Sequence, residues 1–114
     1  MEWFAVRSVF KFGEKADGTN IFEERIVGFC AADADEALHK AETESQQYAQ
    51  SRRFEVAAEM MAYQQDGDAL IDGYELYSQL FQSKESLQEF YQNRYGRYRY
   101  VPEDPAFRTK PIVG

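Results

Sequence analysis

The sequence predicts an α+β fold: a four-stranded, mainly antiparallel sheet in ββαββα order, with helices on one face. Three observations predict it. Two N-terminal runs alternate apolar and polar residues on either side of a turn-rich connection. The next stretch changes to the three- and four-residue spacing of a helix. A second, weaker succession of alternating and helical spacing then follows.

The first strand is read from residues 3–12, WFAVRSVFKF, where Phe4, Val6, Phe10 and Phe12 recur on alternate positions. Arg7 and Lys11 fall on the opposite face with Trp3, Ala5 and Val9. GEKADGTN follows, and Asp17-Gly18 suits a tight reversal. Residues 21–30, IFEERIVGFC, complete a long-looped hairpin. A helix over 31–51 opens on a capping-box-like Asp33 and Glu36. Its buried stripe is Ala34, Ala37, Leu38, Ala41, Ser45, Tyr48 and Ala49, small enough for a close approach to a sheet.

Residues 54–65, FEVAAEMMAYQQ, combine helix-favouring composition with alternation of Phe54, Val56, Ala58 and Met60. A third strand is expected there, between Arg52-Arg53 and Asp66-Gly67. Residues 74–81, YELYSQLF, alternate more clearly and are expected to be the fourth strand. A second helix is expected from Ser83, with Leu87, Phe90, Tyr91 and Tyr95 on one side and Gly96 at its end. The domain is expected to span residues 1–97. A basic, aromatic tail with Pro102, Pro105 and Pro111 occupies 98–114.

Composition narrows the function classes. The chain has 114 residues, 44% apolar and 16% aromatic, which suffices for one core without a disulfide or metal. A net charge of −7 argues against binding duplex nucleic acid, whose phosphates would repel most of the surface. Cys30 is the single cysteine, so no intramolecular disulfide forms, and a reducing, cytoplasmic location is expected. MEWFAVRSVF, with Arg7 inside its apolar stretch, lacks the layout of a signal peptide. No apolar run reaches the roughly 20 residues of a membrane span.

Several segments resemble a family of small, mostly bacterial proteins known as the domain of unknown function DUF4288. They are Trp3-Phe4-Ala5-Val6, Phe22-Glu23-Glu24-Arg25-Ile26, Ala31-Ala32-Asp33-Ala34-Asp35-Glu36-Ala37, Phe54-Glu55-Val56 and Asp72-Gly73-Tyr74-Glu75-Leu76-Tyr77-Ser78, in that order across residues 1–81. The resemblance implies a fold and brings no activity or site residues with it.

No catalytic or metal-ligating set is expected. DGDALIDGYE, residues 66–75, invites a calcium reading. Counting from Asp66, however, places Ile71 where the loop needs glycine and Tyr77 where it needs a bidentate acid. One His and one Cys do not make a zinc site. Cys30 and His39 are expected to face apart, so no nucleophilic dyad is read from them. No cofactor is implied.

Two surfaces remain. If the third and fourth strands pair, Glu55, Glu59, Glu75 and Tyr77 would line the sheet face away from the helices. That face reads either as a solvated surface or as an open, concave, acidic and aromatic one that holds a basic partner. The second surface is RYGRYRY, residues 94–100. From Arg94 onward the charge is +3, against −10 for residues 1–93. Arg94, Arg97, Tyr98, Arg99 and Tyr100 combine forked donors with flat stacking area. Docking on the chain's own acidic surface, on a protein partner, or on single-stranded nucleic acid would all use them, the last disfavoured by the acidic body.

The expected function is therefore a non-enzymatic interaction module that binds a protein partner or itself. Small acidic immunity or antitoxin proteins offer an analogy of size and charge. The alternative is a small ligand-binding protein or enzyme using the open sheet face. A homodimer is expected because nine of the eighteen aromatic residues fall from Tyr74 onward.

Overall fold

In the computed structural model, which describes residues 1–66 and 71–99, the sheet is built around one long strand. β1 (Glu2–Glu14) pairs along almost its whole length with β2 (Asn20–Ala31), antiparallel, from Glu2 opposite Ala31 to Glu14 opposite Asn20. The turn between them is the expected one. Gly18 takes φ +88°, a conformation open to glycine without a Cβ clash, and its N–H donates to the Lys15 carbonyl at 2.9 Å. The Asp17 carboxylate accepts from the Thr19 N–H at 2.9 Å and is held below its ordinary pKa by hydrogen bonds from Thr19.

α1 (Ala34–Arg52) covers one sheet face. Asp33 caps its start, accepting from the Glu36 N–H at 2.8 Å. Its end closes as a Schellman motif: Phe54 N–H donates to the Ala49 carbonyl at 2.8 Å and Arg53 N–H to Gln50. Arg53 itself sits at φ +59°. Of the expected stripe Ala37, Ala41, Ser45 and Ala49 are buried while Ala34 is exposed, and Ala37 and Ala41 pack with Phe4, Val6 and Ala31 of the sheet. The burial of Phe4, Val6 and Phe10 against α1 follows the alternation of the first strand.

The α+β class and the four-stranded antiparallel sheet hold, but two strands differ from expectation. The single strand expected over 54–65 is two short ones, β3 (Glu55–Val56) and β4 (Met61–Gln64). Both pair antiparallel with β1, on the side opposite β2. Val56 faces Phe10 and Met61 faces Arg7. Five steps along this chain therefore oppose three along β1, and the two surplus residues loop out. Because the surplus is even, Val56 and Ala62 stay on the face towards α1 and Met61 stays on the other.

Residues 74–81 form no strand. Their alternation has a different cause. Glu75 accepts from the Tyr63 hydroxyl, Tyr77 donates to Met61 Sδ at 3.1 Å, and Gln79 accepts from Arg7 Nη1. Every second side chain of an extended strap thus rests on the sheet face away from α1. The Gln65 side chain pins the strap by donating to the Leu76 carbonyl at 3.2 Å. A period of two reports an extended segment with one side on protein, whether or not its backbone joins a ladder.

The chain divides into two compact units, Met1–Gln79 and the residues from Leu80 onward. In the second, α2 (Leu87–Tyr91) begins at Ser86, which accepts from the Glu89 N–H at 3.2 Å. This start lies three residues after the expected Ser83, which instead binds the N–H of Glu85. A π-helical turn, Gln92–Gly96, continues α2, with Arg97 N–H reaching the Gln92 carbonyl at 2.7 Å. Gly96 is its last residue but not its cap: it takes no positive φ, and Arg97 is the C-cap. The Gly67 turn and the tail from residue 100 lie outside the described residues.

Candidate protein-interaction surfaces

The sheet face away from α1 carries Trp3, Ala5, Arg7, Val9 and Lys11 of β1. Their register partners are Cys30, Gly28, Ile26, Glu24 and Phe22 of β2, and Tyr63 and Met61 of β4. Part of this face is covered by the 74–79 strap and part is open. Phe22 is 65% exposed, Ile26 49% and Trp3 48%. The Trp3 indole lies over Gly28, where an added Cβ would meet the ring at 4.0 Å, an ordinary van der Waals contact.

The four side chains expected to line this face do not form one row. Glu75 and Tyr77 come together on it, with the Tyr63 and Tyr77 rings 5.7 Å apart. Their neighbour is Arg7, whose buried Nε has no hydrogen-bond partner among the described residues. Glu55 stands opposite Lys11, four residues further along β1 than Arg7 and so about 13 Å away. Glu59 sits in the connection between β3 and β4. The carboxylate of Glu75 raises the pKa of Tyr63 by accepting its proton in a hydrogen bond.

On the α1 side, charge and aromatic groups lock helix to sheet. Arg25 binds Glu44 through both guanidinium nitrogens, at 2.5 and 2.9 Å, and lies 3.8 Å above the Tyr48 ring. Tyr48 donates to Glu23 at 2.7 Å. Its pKa is raised, chiefly by burial and then by that bond. An open groove of about 470 Å³ runs between α1 and the looped-out residues, lined by Leu38, Glu42, Ser45, Ala57 and Met60 among others. Cys30 lies on the face away from α1 and His39 on the exposed side of α1, so the sheet separates them.

In the second unit, α2 and the π-turn gather the arginine–tyrosine residues. Tyr91 and Tyr95 stand 5.3 Å apart, and Phe81 and Phe90 5.5 Å. The Arg94 guanidinium lies 4.8 Å from the Phe81 ring and 5.7 Å from Tyr95. Tyr91, Arg94, Tyr95, Tyr98 and Arg99 line a shallow groove of about 430 Å³. Three of the five expected residues, Arg94, Tyr98 and Arg99, thus share one surface. Arg97 is used through its backbone at the end of the π-turn, and Tyr100 lies outside the described residues. The groove adds Tyr91 and Tyr95 to the expected set. Their four-residue spacing on a helix is the sequence signal for it.

Among the described residues, no helix is long and apolar enough to cross a membrane, and no three His, Cys, Asp or Glu side chains cluster as metal ligands would. No protein-family model, curated protein or solved structure matches the chain.

Proposed function

We propose that this chain is a non-enzymatic protein-interaction module, and that its second unit presents an arginine–tyrosine groove to an acidic, aromatic-containing segment of a partner protein. The observation that carries the reading is the groove itself: two guanidinium groups and three phenol rings on one open surface. Arginine supplies permanent charge and forked donors, tyrosine a rigid stacking face with a polar tip, and this pairing dominates protein-binding hot spots. A net charge of +3 from Arg94 onward favours an acidic partner. The segments that resemble the DUF4288 family support placing the chain with it.

The alternative reading, a small-ligand site on the sheet face, is favoured by Arg7. Its Nε has no partner among the described residues, and beside it Arg7 Nη1 and the Tyr77 hydroxyl both donate to Gln79 Oε1.

Fluorescence anisotropy with labelled peptides tests the proposal. A peptide of Glu, Asp, Tyr and Phe should bind the full chain, and an Arg94→Ala, Arg99→Ala double variant should weaken binding roughly tenfold or more. Equal binding by native chain and variant, or tighter binding of a single-stranded oligonucleotide than of the peptide, would overturn it.

A further inference from the structure

The backbone geometry of β2 points to a second surface. Gln65 N–H donates to the Trp3 carbonyl at 2.9 Å and Ala57 N–H to the Val9 carbonyl at 2.8 Å. The odd-numbered residues of β1 therefore turn their backbone groups towards β3 and β4, and the even-numbered ones turn theirs towards β2. The register then fixes β2. Residues 23, 25, 27 and 29 face even-numbered β1 residues and bond to them. Phe22, Ile26, Gly28 and Cys30 face odd-numbered ones and direct their N–H and C=O groups outward. Lys40 Nζ already donates to the Cys30 carbonyl at 2.7 Å, which agrees with that direction. Among the described residues no strand pairs with β2 on its outer side.

Such an edge is a template for another strand. It spans 12 residues without proline, and α1 holds it extended through Arg25–Glu44 and Glu23–Tyr48. The residues that turn their backbone outward are also those whose side chains lie on the open face, with Phe22 and Ile26 exposed.

We infer that the outer edge of β2 pairs antiparallel with β2 of a second copy of this chain, about a two-fold axis at Ile26. The sequence of the strand selects both occupant and register. Centring on Ile26 sets Ile26 against Ile26, Phe22 against Cys30 and Glu24 against Gly28 on the open face. On the other face it sets Arg25 against Val27 and Glu23 against Phe29. No like charges stand directly opposite; Arg25 lies only diagonal to its own copy, and each Arg25 is already bound by Glu44. Centring on Glu23, Glu24 or Arg25 would oppose each of those charges to its own copy, which is destabilising in a cross-strand pair. Centring on Val27 shortens the overlap and sets Ile26 against glycine. The Ile26 register joins the two sheets into one, and it is independent of the arginine–tyrosine groove.

The position on the axis provides the test. Sedimentation velocity of the full chain at high micromolar concentration should show a dimer. Ile26→Lys alone and Ile26→Glu alone should each raise the dimer Kd roughly tenfold or more, by opposing like charges at the axis. Mixing the two variants should restore a mixed dimer. Both substitutions sit on an exposed position, and circular dichroism checks that each variant is folded. Hydrogen exchange gives a second readout: the amides of Phe22, Ile26 and Gly28 should gain protection with concentration, while those of Arg25 and Val27 are protected throughout. A native chain that stays monomeric overturns the inference. So does a dimer that both variants form undiminished, or one lost on ending the chain at Tyr95, which places the contact elsewhere.

Discussion

Phe10→Ala tests the packing on which the first unit rests. Phe10 is 1% exposed on the central strand, faces Val56 and Glu23 across the sheet, and meets the Tyr48 ring edge-on at 4.9 Å. Truncation removes its transfer energy and leaves a void under α1, a combination that costs about 3–5 kcal/mol. A body the size of Met1–Gln79 has a total stability of roughly 4–12 kcal/mol, so the variant stands near the edge of folding. At about 4–8 °C per kcal/mol, its melting temperature should fall by on the order of 20 °C. Phe12→Ala is the control. Phe12 lies at the register shift between Lys11 and Gly13, is 41% exposed, and touches Phe54 at 4.9 Å. Its site opens to water, so only the transfer energy is lost, about 1–2 kcal/mol. Calorimetry of both variants decides the matter. Equal losses, or a larger loss for Phe12→Ala, would refute the assignment of Phe10 to the sealed face beneath α1.

Three further outcomes follow from the same structure. Arg53→Gly should stabilise the chain by about 0.5–1 kcal/mol in urea unfolding, because Arg53 ends α1 at φ +59°, where glycine avoids the Cβ penalty. Asp33→Ala should destabilise it by about 1 kcal/mol, read from the urea midpoint, since the Glu36 N–H loses its acceptor. Tyr48 makes stability fall in alkali. Its folded pKa is raised by burial and by Glu23, so its contribution is complete below the unfolded value of about 10 and is lost as pH rises through the folded value. Tyr48→Phe should therefore show a smaller drop in urea midpoint between about pH 8 and pH 10.5 than the native chain. An equal drop would show that the phenol is not responsible.

The sequence by itself determined the local structure of the first fifty residues, because those signals act over a few neighbours. Alternation in 3–12 assigned Phe4, Val6, Phe10 and Phe12 to one face and Arg7 to the other, and the first three are buried while Phe12, at the register shift, is exposed. Asp17-Gly18 set the turn, Asp33 the helix start, and the alanine stripe the buried side of α1. It also marked Arg94, Arg97, Tyr98, Arg99 and Tyr100 as a group, since their charge and aromatic content stand out from an acidic chain, and three of them, Arg94, Tyr98 and Arg99, line the groove. Tertiary structure decided the rest. Whether 74–79 joined the ladder or lay across it depended on which backbone groups of β1 were already taken by β3 and β4, a competition that no property of Tyr74–Gln79 encodes. The two-residue surplus that splits β3 from β4 shows only in their pairing with β1. The separation of Glu55 and Glu59 from Glu75 and Tyr77 follows in turn, because the strand expected to align them does not form. The outward row on β2 is likewise a product of register: alternation says which way side chains point, but only pairing with β1 says which backbone groups remain for another strand.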